Sequence, residues 1–424
     1  ATLIQKALES HHCPKVYFEC LKGTLQDNID GLVQELVRAQ ILPVPLQFTA
    51  LQDVFAYLNT LPQKMVVVVD EYPYLKAMNE SATVDSIFQS IIDNRIANIA
   101  LIISGSHIGM MRETLQEKNA LYGRFAATIK LNELSYLDAA KFYPDKTPYE
   151  KAAHYAVFGG SPFVNQMLCP TATLRENIIH TILNPVSPVY LYASQLLLSD
   201  YAVKINAERI FAVLGNSKKR YTEIEDKLDA KKTGNLAKQM KPLIDLEIIT
   251  RNNPINKLGD NKKSGFEIND NLLRFYFTFL YKNASALQML GAEAFYDEYI
   301  APALTDFISR RFEGICRDYF SLQARAGKGR GVRNIGSYYY DDPVHRKNGE
   351  FDVVLEYADG YEIYEAKYYA QPMTLDEIHR EVQQVEAIRE LKVKQLGFIA
   401  INGFAEEEGP YTYLNGKDIY AEES

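Results

Sequence analysis

Residues 65–71, Met-Val-Val-Val-Val-Asp-Glu, constrain the fold of this chain more than any other stretch. The apolar positions run without a polar break and end in two acids. A strand wetted on one face alternates apolar and polar residues, whereas one apolar on both faces belongs inside a parallel sheet covered by helices. Ile99-Ala-Leu-Ile-Ile103 is a second run of this kind, about one strand–helix–strand unit further on. Lys15-Val-Tyr-Phe-Glu19 reads as a shorter strand ahead of both. Helices are expected over the start, where Leu3, Ile4, Ala7 and Leu8 recur at helical spacing, over 27–39, and from a Thr49 cap to Asn59. The first third is an α/β layout of the nucleotide-binding type.

At roughly 150 residues per domain, 424 residues make about three domains. The 47% hydrophobic and 24% charged content is that of a folded globular chain and excludes a disordered or collagen-like one. The net charge of −8 excludes a uniformly basic surface, but nucleic-acid binding depends on local clustering rather than the sum. Cys13, Cys20, Cys169 and Cys316 lie far apart, which favours a reduced, cytoplasmic setting over a disulfide framework. No apolar run approaches the ~20 residues that span a bilayer, so no membrane partner is expected. The first residues, Ala-Thr-Leu-Ile-Gln-Lys, are neither a secretory signal nor a natural start.

Residues 134–200 read as mostly helical, broken by Phe158-Gly-Gly-Ser-Pro-Phe163. Three short helices follow (Ala207–Leu214, Thr222–Leu228, Asn235–Leu246), then strands at 248–251 and 265–268 around a basic loop. That order is a winged helix-turn-helix. From about Ala301 come a helix, strands near 351–355 and 362–366, a helix near 375–391 and a strand at 396–401, a second α/β domain.

Ligands of an open parallel sheet gather at the carboxyl ends of its strands. There Asp70 can hold Mg²⁺ and Glu71 can orient a water against a phosphoanhydride. The plainer reading of Asp70 is a strand or helix cap. Ser104-Gly-Ser106 after the second strand is placed to meet a phosphate or its water, or is simply a turn. Together with Leu121-Tyr-Gly-Arg124, Gly159-Gly-Ser-Pro162 and the winged-helix region, these residues resemble the archaeal-type ATPase family, a branch of the AAA+/STAND P-loop NTPases. The resemblance implies ATP and Mg²⁺ as cofactors, a prokaryotic ATPase, Walker B at Asp70 and Glu71, and a sensor at Ser104 or Ser106. It also implies a finger or domain-contact arginine at Arg124 and a nucleotide-touching GxP at Gly160 and Pro162. The family's Gly-rich loop ending in Gly-Lys-Thr is absent from this sequence, which contains no GxxxxGK[ST]. The first helix resembles the one after that loop, with Thr2 near the Mg²⁺-binding hydroxyl.

The expected fold is thus α/β and multidomain. A P-loop NTPase core lacking its first strand and Walker A loop (1–135) precedes a helical lid (136–204), a winged helix-turn-helix (205–285) and a restriction-endonuclease-like α/β domain (286–424). DNA is the expected macromolecular partner; subunit number is open, with a homo-oligomer among the options. Lys231, Lys232 and Lys238 lie at and along the recognition helix, and Lys262 and Lys263 in the wing. Arg325, Lys328 and Arg330 follow in a glycine-rich stretch that suits a nucleic-acid backbone or is a solvated loop. Glu365 and Lys367, two apart on a strand, share a face, and Asp352 on the preceding strand can converge with them. Two carboxylates on one metal with a lysine beside the attacking water suit phosphodiester hydrolysis. This order resembles the PD-(D/E)xK nuclease fold, and the resemblance implies a further metal-binding acid at Glu313 on the earlier helix and a polar helper at Gln383 or Gln384 on the later one; a surface Glu–Lys hairpin is the plainer reading. A non-catalytic nucleotide-controlled DNA-binding regulator, or a signalling switch with a degenerate nuclease domain, is the competing function.

Overall fold

The run at 65–70 is the central strand of a three-stranded parallel sheet. In the computed structural model β1 (Lys15–Glu19), β2 (Met65–Asp70) and β3 (Ile99–Ile103) lie in the order β1-β2-β3. The structure describes residues 2–79, 81–94, 96–198, 207–215, 217–229, 235–342, 347–388 and 391–421. Two compact units emerge, Ala1–Leu131 and Asn132–Ser424.

In the first unit, helices Leu25–Arg38, Leu51–Thr60 and Ser81–Asp93 bury Leu32, Phe55 and Phe88 with Val67 and Val69 of β2. A capping box at Thr24 and Asp27 starts the first of them: each side chain satisfies the other's free backbone N–H. The second starts after Ala50 with no side-chain cap, so Thr49 does not have the capping role its sequence suggests. The two apolar runs also differ. β2 is buried along nearly its whole length, while β3 is an edge of this sheet and leaves Ile102 37% exposed. Helices Tyr72–Met78 and Ser81–Asp93 are joined by a polar knot. The Asp85 carboxylate accepts from Tyr72 Oη (2.7 Å), Lys76 Nζ (2.9 Å) and Asn119 Nδ2 (2.8 Å), and Lys76 is wholly buried.

The second unit opens with short helices whose apolar faces share one core with the helices at 271–325. Helices Ala207–Leu214, Tyr221–Lys227 and Leu236–Asp245 then pack on a small antiparallel sheet ordered β4-β6-β5 (β4 Lys219–Arg220, β5 Ile249–Asn252, β6 Gly265–Ile268). Phe275, Phe277 and Phe279 that follow are buried, as core residues. The last sheet has the order β11-β10-β9-β8-β7, with β7 Asn334–Asp342, β8 Lys347–Glu356, β9 Tyr361–Lys367, β10 Val393–Ala400 and β11 Thr412–Asn415. Strands β7 to β9 are antiparallel and β9 to β11 parallel, the crossover between β9 and β10 carrying helix Leu375–Glu386. The 25-residue helix Ala301–Arg325 shares a core with Val353, Leu355 and Tyr364, and the crossover helix shares another with Val354, Ile363 and Phe398.

His154 is 1% exposed in the helical part, with Nδ1 2.8 Å from the Glu150 carbonyl and Nε2 3.3 Å from Asn177 Nδ2. Burial pulls its pKa from 6.5 down to about 4. The unfolded chain therefore binds a proton in that window that the folded one excludes. Stability from this group is whole above pH 6.5 and is lost as pH falls toward 4. We expect urea unfolding to report a loss of up to about 3 kcal/mol across that range, and His154→Gln to flatten the slope.

Candidate functional site

Parallel register brings the strand ends of the first unit together: Glu19 pairs with Asp70, and Val69 with Ile103. Asp70 is buried and its carboxylate is an acceptor hub. Oδ1 takes Ser104 Oγ (2.5 Å) and the Glu71 N–H (3.0 Å), while Oδ2 takes the Tyr17 hydroxyl. Glu71 has φ +48°, an unusual left-handed conformation for a residue with a side chain. In that pose its Oε2 accepts from Ser106 N (3.2 Å) and Oγ (2.9 Å). Both serines of the 104–106 turn thus bond the two acids. The neighbouring Cys20 thiol is pushed up to about 12, by burial first and then by Glu71 and Glu19. Sequence reasoning misses Tyr17, whose hydroxyl reaches Asp70 only because β1 and β2 are in this register.

The other residues expected at this site have surroundings of their own. Arg124 is held in a two-pronged pair with Asp93, Nε–Oδ1 and Nη2–Oδ2 both 2.8 Å. Thr2 is exposed at the start of helix Thr2–Glu9. Gly160 and Pro162 belong to the second unit. The Gly160 N–H donates to Glu133 (3.3 Å), and a Cβ there would lie 2.1 Å from the Leu134 carbonyl oxygen, so close backbone packing already requires glycine. Pro162 is the first residue of helix Pro162–Gln166.

The acid–lysine group of the second unit does assemble. Glu365 and Lys367 share a face of β9, with Lys367 Nζ 2.6 Å from Glu365 Oε1 and 3.0 Å from Glu381 Oε1. Glu381, on the crossover helix, takes the place expected of Gln383 or Gln384. Gln384 Nε2 instead donates to the Tyr340 hydroxyl at 2.7 Å. The physical reason is helical phase, which decides which side of the crossover helix faces β9.

Asp352 sits at an irregularity in β8. Gly336 pairs with Val354 and Tyr338 with Phe351, so Asp352 and Val353 together oppose Ser337. Such a bulge re-aims a side chain out of simple alternation. The Asp352 carbonyl accepts from Arg317 Nη1 at 2.7 Å.

The electrostatics mark one shared buried space. Glu313 is pushed up to about 8, by burial first and then by the Asp352 carboxylate, with Arg317 and Arg311 opposing. Asp352 is raised by burial, against Arg317 and Lys218. Glu365 is also raised by burial, and Lys367 opposes the shift. Burial would lower Lys367, but the Glu365 and Glu381 carboxylates outweigh it and hold the ammonium charged. Among the described residues no group of three or more His, Cys, Asp or Glu side chains is gathered to hold a metal ion. Mg²⁺ does not need such a cage, since it is commonly held by one or two carboxylates and waters. The all-oxygen donors Asp352 and Glu365, on paired strands, fit it.

Of the basic residues, Lys231 and Lys232 lie outside the described residues. Lys238, Lys262, Arg325, Lys328 and Arg330 are exposed. Lys263 is not a free wing residue: its ammonium lies 3.7 Å from the centroid of the Tyr339 ring. Asn256 completes the docking of the wing on β7, donating to the Tyr339 carbonyl (2.8 Å) and accepting the Tyr339 N–H (3.0 Å).

Residues 8–164 match a family model described as an ATPase domain predominantly from Archaea, and residues 276–382 one described as Archaea bacterial proteins of unknown function. The chain is similar to the uncharacterized protein MJECL04 of Methanocaldococcus jannaschii, 28% identical over 276 residues. That match spans 64% of this chain and 60% of the relative. Among solved structures, the Walker-type ATPase PABY2304 of Pyrococcus abyssi aligns at 15% identity over 65% of this chain and 87% of its own, with a TM-score of 0.46. The ORC2 protein of Aeropyrum pernix, in its ADPNP–ADP complexes, aligns at 10% identity over 68% and 83%, with a TM-score of 0.42. Fold and matched domains define a multidomain α/β protein with an ATPase domain over residues 8–164 and a separate C-terminal β-rich domain. By these two matches the chain is similar to the archaeal-type ATPases. None of its described helices is long and apolar enough to cross a membrane.

Proposed function

We propose that this protein binds and hydrolyses ATP, associates with DNA, and cleaves it with a metal-dependent nuclease-like C-terminal domain. The observation that carries the nuclease reading is Lys367 held between Glu365 and Glu381, on the strand paired with the one that bears Asp352. Asp352 and Glu365 would hold Mg²⁺, with Glu313 as the further acid. When bound, the ion polarises a phosphoryl oxygen and makes its water more acidic. Lys367, already oriented by two carboxylates, hydrogen-bonds the attacking water and offsets charge gathering on the phosphate. Arg317 positions Asp352 through its carbonyl.

Support for the ATPase reading is the Ser104–Asp70–Tyr17 cluster at the carboxyl end of the central strand, with Asp70 in the magnesium role and Glu71 in the water-orienting role. The sequence contains no GxxxxGK[ST] loop. Exposed Lys238, Lys262, Arg325, Lys328 and Arg330 supply backbone contacts for DNA.

The clamped Lys367 favours a second reading, in which the domain binds nucleic acid without cutting it and nucleotide controls that binding. The test is incubation of the full chain with single- and double-stranded DNA in Mg²⁺ or Mn²⁺. Fragments that vanish with chelator support the nuclease; intact DNA that is bound in a salt-dependent way supports the regulator.

A further inference from the structure

Docking of the wing on β7 leaves a cleft beside it. The cleft has a volume of about 490 Å³ and is walled by the wing and β5 on one side and by helix Ala301–Arg325, β7 and β8 on the other. Lys218, Arg251, Arg310, Arg311 and Arg317 line it, against the carboxylates of Glu267, Glu313 and Asp352. Lys218 is paired with Glu350 at 2.7 Å, and Glu267 does little to offset the arginines. It already accepts from Arg274 (2.9 Å), which is not part of the wall, as well as from Arg311 (3.0 Å). With Glu350 counted, the cleft still carries five cationic side chains against four carboxylates, the cations drawn from residues as far as 99 apart in sequence, Lys218 to Arg317. Its apolar surface is Ile255, Leu258 and Ile335, enough for a sugar or base face. One end of the wall is Asp352, the bulged acid of the candidate nuclease site.

We infer that this cleft is the entry site for a single nucleic-acid strand, with Lys218, Arg310 and Arg311 on its phosphates and the strand leading to Asp352. The inference rests on the nuclease reading for its direction but not for its chemistry. The volume falls in the range of roughly 300–1,000 Å³ that holds a ligand of one or two nucleotides' size, and excludes a duplex. Guanidinium groups bind phosphate in a forked geometry that a lysine lacks, and two neighbouring arginines suit consecutive phosphates. Neither helix Leu236–Asp245 nor the glycine-rich stretch is needed for this contact, so single-strand and duplex binding are separable in mutants.

The experiment is fluorescence anisotropy of the full chain with labelled oligo-dT and oligo-U of about ten nucleotides in EDTA, where no cutting occurs, alongside a duplex of the same length. Arg310→Glu changes an exposed side chain and leaves the core alone; Lys218→Gln is the second variant, and Lys282→Gln, an exposed lysine elsewhere, is the control. We expect single-strand affinity to fall about tenfold in each cleft variant, with the salt dependence reduced by roughly 0.7 per lost phosphate contact, and to be unchanged in Lys282→Gln. Equal loss on oligo-dT and oligo-U marks a phosphate site indifferent to the sugar; loss on one alone assigns the strand type. Wild-type single-strand affinity in both cleft variants overturns the inference, as does an equal loss in Lys282→Gln. If the wild type cuts DNA and Arg310→Glu binds and cuts as well as it does, the cleft fails while the nuclease stands. Cleft-dependent binding without any cutting upholds the cleft and removes the nuclease.

Discussion

Asp352→Ala is expected to reduce metal-dependent DNA cleavage by on the order of a thousandfold, with folding intact. The two halves of that expectation have one cause. Asp352 is raised by burial and its charge also raises Glu313, so the folded protein holds like charges close together in poor solvent. Removing one of them relieves repulsion, and thermal unfolding of the variant should be unchanged or shifted upward. Lost activity with a raised or equal melting temperature separates a chemical role from a structural one. Lys367→Ala should lose activity to a similar degree by another route. It frees Glu365 and Glu381 from their shared ammonium, so metal affinity should be retained or strengthened while turnover falls. A cleavage assay beside metal titration by calorimetry reads both. Full activity in Asp352→Ala would remove this domain from the chemistry.

The largest stability effect belongs to the first unit. Asp85→Ala should cost about 3–5 kcal/mol, read as a lower urea midpoint, because it strands the Lys76 ammonium where no water reaches it. The Tyr72 hydroxyl and the Asn119 amide lose their acceptor in the same step. Replacing both members, Asp85→Leu with Lys76→Met, should recover much of the loss, since apolar groups of like volume need no partner. If the double variant is no better than the single, the coupling assigned to this pair is wrong. Tyr72 begins the helix immediately after Glu71, so Asp85→Ala should also loosen the strand-end acids.

Legibility in the sequence follows the range of the interaction. The run at 65–70 announces a buried parallel strand because β-branched residues without alternation have few other homes. The winged-helix elements and the Glu365–Lys367 spacing are equally local, and the structure places them within a residue or two of where the sequence does. Ile99–Ile103 reads as doubly buried yet is not, because composition does not say whether a strand has a neighbour on both sides. Glu381 yields in the sequence to the glutamines two and three residues on, since the phase of a helix against a sheet is a packing outcome. The wing looks like a basic arm for DNA, yet Asn256 and Lys263 spend themselves on Tyr339, 83 and 76 residues further along the chain. No local pattern encodes that meeting.

What the sequence determined by itself was therefore the kinds of element and the chemistry each could carry: acids at the end of a buried strand, and an acid–x–lysine pair on another. Short-range steric and hydrophobic rules suffice for those. The tertiary structure alone decided which groups share a space. Parallel register put Tyr17 and Ser104 on Asp70. A one-residue bulge turned Asp352 out of step, and the docked wing closed a cationic cleft around it. Those juxtapositions arise from contacts between residues tens to more than a hundred positions apart, whose energies exist only once the chain has folded.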